Sequence, residues 1–169
     1  QSELAGTELV ADIAENEAAL QAFDVVREAT AAEWDALLGR IDVEGGTEEQ
    51  KEVFYTALYH TLIHPSVLND VNGDYPLMES DSIGNIYANA KAVTPADSAA
   101  VHPRYTVFSL WDTYRNLHQL MTLVYPDRQE GMVQSMLDIY REHGWLPKWE
   151  LFGRETLTME GDPSIPVIV

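Results

Sequence analysis

Apolar residues recur every three or four positions over long stretches of this chain. Phe23, Val26, Thr30 (through its methyl), Trp34, Leu37, Leu38 and Ile41 fall on one face of a helix. Residues 7–20, rich in Ala and Glu, read as an earlier and less amphipathic helical piece. Gly45-Gly46 breaks the chain. Thr47-Glu-Glu-Gln50 has the capping-box pattern: the Thr hydroxyl takes the Gln50 amide and the Gln50 side chain reaches back. A second helix is predicted from there to about Ile63, with Val53, Phe54, Ala57, Leu58 and Leu62 inward. His64-Pro65 stops it.

Residues 65–105 lose this periodicity and contain Asn69-Asp70-Val71-Asn72-Gly73-Asp74, then Ser, Gly and Asn, then Pro95 and Pro103. A stretch of about forty residues without regular pattern far exceeds an ordinary connection. It reads as an active-site excursion or as an insert carrying short strands. Helical spacing returns at Ser109 with Trp111, Tyr114, Leu117, His118 and Met121, and Pro126 ends that segment. Asp127-Arg128-Gln129-Glu130 resembles another capping box, after which Met132, Val133, Met136, Leu137 and Tyr140 line one face. His143 and Gly144 suit a helix C-terminus. The tail 152–169 reads as loop and short extended pieces. The expected fold class is all-α, as helical hairpins with long loops carrying short extended segments.

Composition narrows the partners. Ten basic residues against 28 acidic ones give a formal charge of −18. Such a surface repels nucleic-acid backbones and anionic membranes. No apolar run approaches the ~20 residues needed to span a bilayer. Without any Cys, disulfides, thiolate zinc sites and Cys nucleophiles are excluded.

Three clusters could carry chemistry. In Phe108-Ser109-Leu110-Trp111-Asp112-Thr113-Tyr114-Arg115, an N-capping Ser109 would put Trp111, Asp112 and Arg115 in the first turns of a helix. An aromatic plate beside a carboxylate and a guanidinium suits a sugar, whose apolar face stacks while its hydroxyls hydrogen-bond. The plain alternative is a helix start with a capping Asp, an intrahelical salt bridge and a core Trp. In Trp145-Leu146-Pro147-Lys148-Trp149-Glu150, a single carboxyl sits among apolar groups. Burial would raise the Glu150 pKa, as a general acid requires, though a loop Glu packed beside core aromatics has the same sequence. The run 69–74 alternates oxygen donors before a Gly, but lacks the rest of an EF-hand loop and fits a turn. His60 and His64, at i and i+4, are followed directly by Pro65 and make a poor metal pair.

With these residues the chain resembles the glycoside hydrolase family 92 α-mannosidases. The resemblance is carried by Phe54-Tyr-Thr-Ala-Leu-Tyr-His60, Asp70-Val-Asn-Gly-Asp-Tyr75, Tyr105-Thr-Val-Phe-Ser-Leu-Trp-Asp-Thr-Tyr-Arg115 and Ser135-Met-Leu-Asp-Ile-Tyr140. It continues through Gly144-Trp-Leu-Pro-Lys-Trp-Glu-Leu151 and Gly161-Asp-Pro-Ser-Ile-Pro-Val-Ile168. It implies that residues 1–169 are part of an (α/α)6 catalytic barrel, without the family's N-terminal β-sandwich or the later half of the barrel. It implies removal of terminal α-linked mannose from glycans with inversion, and a need for calcium (Ca2+), whose ligands are expected mostly outside these residues. Glu150 would be the general acid, and Trp111, Asp112, Arg115 and Trp149 would bind the sugar. A periplasmic or secreted location follows from the glycan substrate.

The family pattern is not followed everywhere. Gly153-Arg154-Glu155-Thr156 stands where Gly-Asn-Glu-Thr is frequent, and Asp162-Pro163 where a His is frequent, which bears on linkage specificity. Inversion needs a second carboxylate, ~6.5–9.5 Å from the acid, to activate water. The resemblance implies that this base lies in a later segment. The apolar Pro166-Val-Ile-Val169 end reads as the edge of a fragment, expected to be inactive alone and poorly packed. A carbohydrate-binding remnant without catalysis and a degenerate helical scaffold are the alternatives.

Overall fold

The computed structural model describes residues 22–91 and 101–169, with side chains left aside for 89–91. The predicted helix 7–20 lies outside the described residues. The chain divides into two compact units, Gln1–Lys51 and Glu52–Val169. In the first, α1 spans 22–38, and the chain then turns through Gly45 and Gly46, both at positive φ, to the start of α2 (Glu48–Thr61). The capping box is formed. The Thr47 N–H donates to Gln50 Oε1 at 2.9 Å, and the Gln50 N–H donates to Thr47 Oγ1 at 3.2 Å.

The second unit alternates helices with very short strands. It contains β1 (Ser66–Val67), β2 (Asp74–Pro76), β3 (Ile83–Asn85), α3 (Ile86–Lys91), β4 (Tyr105–Thr106), β5 (Phe108–Ser109) and α4 (Leu110–Thr113). α5 (Leu117–Val124), α6 (Pro126–His143), β6 (Trp149–Leu151), β7 (Arg154–Glu155) and α7 (Ile165–Ile168) follow. β1 pairs with β4, β2 with β3, and β5, β6 and β7 form a three-stranded antiparallel sheet in that order. The irregular stretch 65–105 therefore carries short strands within its described part. The all-α expectation is corrected to helices interleaved with three small sheets.

α6 is the spine of this unit. Met132, Met136 and Ile139 recur on one face and are almost completely buried. They join Met78, Tyr105, Phe108 and Leu110 in one cluster, against which Val167 and Ile168 pack. Each fully buried side chain of this size contributes roughly 1.5–3 kcal/mol. Small residues let β4 lie close to the helix. A Cβ on Gly131 would come within 3.0 Å of the Tyr105 ring. The buried Ser135 hydroxyl accepts the Tyr105 N–H at 2.9 Å. α6 closes on Gly144 in the left-handed conformation, its N–H bonded to the Tyr140 carbonyl, as the sequence predicts. Its start differs, because Pro126 opens the first turn and the N-cap position falls on Tyr125, whose side chain makes no cap.

The helix predicted from Ser109 to Pro126 is two helices. α4 ends after one turn, and Asn116 at φ 75 breaks the path before α5. Asn tolerates positive φ where most side chains clash. The break leaves Trp111 exposed while Leu110, His118 and Met121 turn inward. Leu58 on α2 and Leu62 just after it are buried as expected, but Val53 and Ala57 on α2 are exposed. The tail also departs from expectation, since α7 forms one helical turn with Pro166 in its first positions.

Candidate functional site

The β5–β6–β7 sheet brings together the two sequence-distant motifs that hold the candidate residues. Its register sets Phe108 opposite Glu150 and Ser109 opposite Trp149. Directly paired residues share a face of a sheet, and successive residues alternate between faces. Phe108 and Glu150 therefore point inward together, both buried. Trp149 lies beside Ser109 on the other face, and the Ser109 hydroxyl donates to Asp112 Oδ2. An indole is thus held next to a fixed carboxylate at the start of α4. Trp111, two residues after Ser109, is 55 % exposed. Arg115 does not pair with Asp112. Its guanidinium donates to the Tyr114 hydroxyl at 2.9 Å and lies over the Tyr114 ring, 5.5 Å from the centroid. The intrahelical ion pair offered by the i, i+3 spacing is replaced by this aromatic contact.

Glu150 lies beneath this surface, 1 % exposed. Burial pushes its carboxyl above the ordinary range, opposed by hydrogen bonds from the Gly153 N–H and the Thr106 hydroxyl. Thr106 Oγ1 lies 3.0 Å from both carboxylate oxygens, and the Gly153 N–H donates to Oε1 at 2.6 Å. A general acid has to reach the glycosidic oxygen, whereas the contacts of Glu150 here are to its own fold.

The β6–β7 connection is Phe152-Gly153, both at positive φ (51° and 84°), the signature of a tight two-residue hairpin turn. Leu151 pairs with Arg154 across it. The Phe152 N–H donates to Thr106 Oγ1 at 2.8 Å. The Gly153 carbonyl accepts the Glu79 N–H at 2.8 Å, which ties the turn to the segment after β2.

Glu155 was not singled out by the sequence reading. Its carboxylate accepts the backbone N–H of Lys148 at 2.8 Å, of Trp149 at 3.2 Å and of Leu157 at 3.2 Å. It lines a cleft of about 590 Å³ together with Tyr140, Trp145, Lys148 and Asp162, a lining that does not include Glu150. Its only sequence signal is its place in Gly153-Arg154-Glu155-Thr156, two residues beyond the turn.

Two histidines are set oppositely. His102 Nδ1 faces the Pro103 carbonyl at 3.1 Å and Nε2 faces Asp138 at 3.2 Å. Two acceptors are satisfied together only by the imidazolium, and hydrogen bonding to Asp138 raises the His102 pKa against the effect of burial. His118 is buried between Gln129 and Thr113, and burial lowers its pKa. For His102 the folded pKa lies above the unfolded one, so its stabilisation is complete below ~6.5 and is lost as pH rises through the folded value. For His118 the sign reverses, and stability is lost as pH falls below ~6.5. In thermal melts between pH 5 and 8, His102→Gln is expected to lower Tm more at pH 6 than at pH 8. His118→Gln is expected to flatten the acid side of the wild-type profile.

No group of three or more His, Cys, Asp or Glu suited to a metal ion occurs among the described residues. The run 69–74 is a turn. Both oxygens of Asp74 are taken by side-chain amides, Oδ1 by Asn85 and Oδ2 by Asn72, each at 2.7 Å. Among the described residues, the carboxylates therefore do not cluster into a calcium site. No helix of the described residues is long and apolar enough to cross a membrane.

The family model for the glycosyl hydrolase family 92 catalytic domain matches residues 11–169. The chain belongs to glycoside hydrolase family 92. The GH92 α-mannosidase BT3965 from Bacteroides thetaiotaomicron, solved with mannoimidazole, is 32 % identical with a TM-score of 0.72, over 86 % of this chain and 17 % of its own. The same enzyme without that ligand gives a TM-score of 0.73, again at 32 % identity, over 86 % of this chain and 18 % of its own. The GH92 inverting mannosidase BT2199 from Bacteroides thetaiotaomicron VPI-5482 is 28 % identical with a TM-score of 0.68, over 86 % of this chain and 18 % of its own. The chain thus spans less than a fifth of the solved GH92 enzymes it matches. A search of curated proteins returns no match.

Proposed function

We propose that this GH92 chain forms part of the (α/α)6 catalytic barrel of an inverting, exo-acting α-mannosidase, and that it holds a terminal α-linked mannose of a glycan. The observation that carries this reading is the register that sets Trp149 beside the Ser109–Asp112 pair. The indoles of Trp149 and Trp111 stack on the apolar face of the sugar ring, and Asp112 and Arg115 take its hydroxyls. The related BT2199 is an inverting mannosidase, and BT3965 has been solved with mannoimidazole. Inversion requires a second carboxylate for the attacking water. In this reading that base is supplied by a later segment of polypeptide, and without it residues 1–169 do not turn over substrate. The calcium implied by the family has no donor cluster here, so no step is drawn through it. A glycan substrate places the protein in the periplasm or outside the cell.

A second reading concerns Glu150. Its upward-shifted carboxyl favours the general-acid role implied by the family resemblance. Its satisfied, inward contacts favour a structural role instead, and the two are separated by experiment below.

In the intact protein, Asp112→Ala is expected to lower kcat/KM on an aryl α-mannoside by roughly 100-fold, the loss of a charge-assisted contact to the sugar together with its placement. Hydrolysis is followed by NMR, where β-mannose as the first product marks inversion. Wild-type protein that binds mannose but never cleaves an α-mannoside supports the carbohydrate-binding alternative. Protein that does neither supports a plain scaffold.

A further inference from the structure

The inner face of β6 presents a buried carboxylate, and one hydroxyl holds it. Thr106, fully buried in β4, sits at the centre of this arrangement. Its Oγ1 lies 3.0 Å from each oxygen of Glu150 and accepts the Phe152 N–H at 2.8 Å. A single hydroxyl thus joins strand β6 to the turn that follows it, while the Gly153 N–H closes the same loop on Glu150 at 2.6 Å. The hydroxyl uses its one proton and one acceptor site, so a side chain without oxygen takes the acceptor from the Phe152 N–H and leaves Glu150 with backbone donors alone.

What this clamp controls is register. A slip of one residue in a strand moves every side chain to the opposite face. In β6 the slip would carry Glu150 to the surface and Trp149 into the core. β5 and β6 pair over two residue pairs, Phe108–Glu150 and Ser109–Trp149, with one further bond from the Leu110 N–H to the Lys148 carbonyl at 3.1 Å, so this ladder is short. Val107, at φ 62, interrupts the strand between Thr106 and Phe108 and separates the clamp from that ladder.

We infer that Thr106 is a positioning residue for sugar binding. Acting through Glu150 and the Phe152 amide, it keeps Trp149 on the outer face beside Ser109 and Asp112. This rests on the proposed mannoside-binding role of that face.

The test compares Thr106→Val with Thr106→Ser in the intact protein, using an aryl α-mannoside for kinetics and free mannose for tryptophan-fluorescence titration. Val keeps the shape and removes the hydroxyl, and Ser keeps the hydroxyl. Thr106→Val is expected to raise KM and weaken mannose binding about tenfold, while kcat changes by less than about threefold and the pH profile of kcat stays in place. Thr106→Ser is expected to stay within about twofold of wild type. Should the Val variant not fold, Glu150→Gln is used, because its amide offers one acceptor oxygen where the carboxylate offers two to the Thr106 hydroxyl and the Gly153 N–H, which loosens the same clamp. It is expected to raise KM in the same selective way. Wild-type affinity in the Val variant overturns the inference, as does equal impairment of the Val and Ser variants, or a loss confined to kcat. Wild-type protein that neither binds mannose nor cleaves mannosides overturns the mannosidase reading, and this inference with it.

Discussion

Replacing Arg104 with Met is expected to destabilise the protein by about 3–5 kcal/mol, the range for removing one partner of a buried ion pair. Arg104 is 1 % exposed. Its guanidinium forks onto Glu142 with two contacts of 3.0 Å and lies 4.9 Å over the Tyr75 ring. Glu142 also accepts the Tyr75 hydroxyl at 3.2 Å and the Met78 N–H at 3.1 Å. The Arg104 N–H donates to Asn69 Oδ1 at 2.9 Å. Three segments of the irregular stretch, around 69, 75–78 and 104, are thereby anchored to α6. Without the guanidinium, the Glu142 carboxylate keeps two weaker donors and loses its countercharge. Urea unfolding of the intact protein measures the effect. Adding Glu142→Leu to Arg104→Met is expected to recover much of the loss, because removing both charges leaves none uncompensated. A double variant no more stable than Arg104→Met would show that the two residues act independently.

Local features were legible in the sequence and distant pairings were not. The Thr47–Gln50 box, the Met132/Met136 stripe and the Gly144 terminus depend on residues within one or two helical turns, and spacing reports them directly. The Asn116 break was hidden because Trp111, Tyr114, Leu117 and Met121 keep a helical rhythm across it. One residue at positive φ changes the path of the chain without disturbing the order of apolar positions. Arg104 and Glu142 lie 38 residues apart, and no periodicity links them. The same holds for the site. Residue type picked out Trp111, Asp112, Arg115 and Trp149, each carrying chemistry a sugar requires. The placement of Trp149 beside Ser109 depends on β5 pairing with β6 across some forty intervening residues, which no local pattern encodes. The pairing expected of Asp112 and Arg115 relied on a continuous helix, and that helix stops one turn after it begins.

Substitution of Glu150 is expected to have the second large effect. Glu150→Ala leaves the Gly153 N–H without its acceptor and the Thr106 hydroxyl with no carboxylate to donate to, and opens a cavity there. About 3 kcal/mol of lost stability is expected. Glu150→Gln keeps the volume and separates the two roles. A general acid contributes roughly 10²–10⁴-fold to a glycoside whose leaving group needs a proton. It contributes far less where the leaving group departs readily as an anion. If Glu150 donated that proton, the Gln variant would lose most of its turnover on a mannosyl disaccharide while retaining much of it on an activated aryl mannoside. It would also lose one limb of its pH–rate profile. Held by Thr106 and Gly153 beneath the sheet, Glu150 is expected to behave otherwise. The Gln variant should be impaired by the same factor on both substrates, mainly through KM, with the pH limbs unmoved. A carboxyl whose raised pKa arises from burial under a hairpin turn then serves to keep Trp149 in register. The proton for the leaving group would come from another acid of the complete barrel.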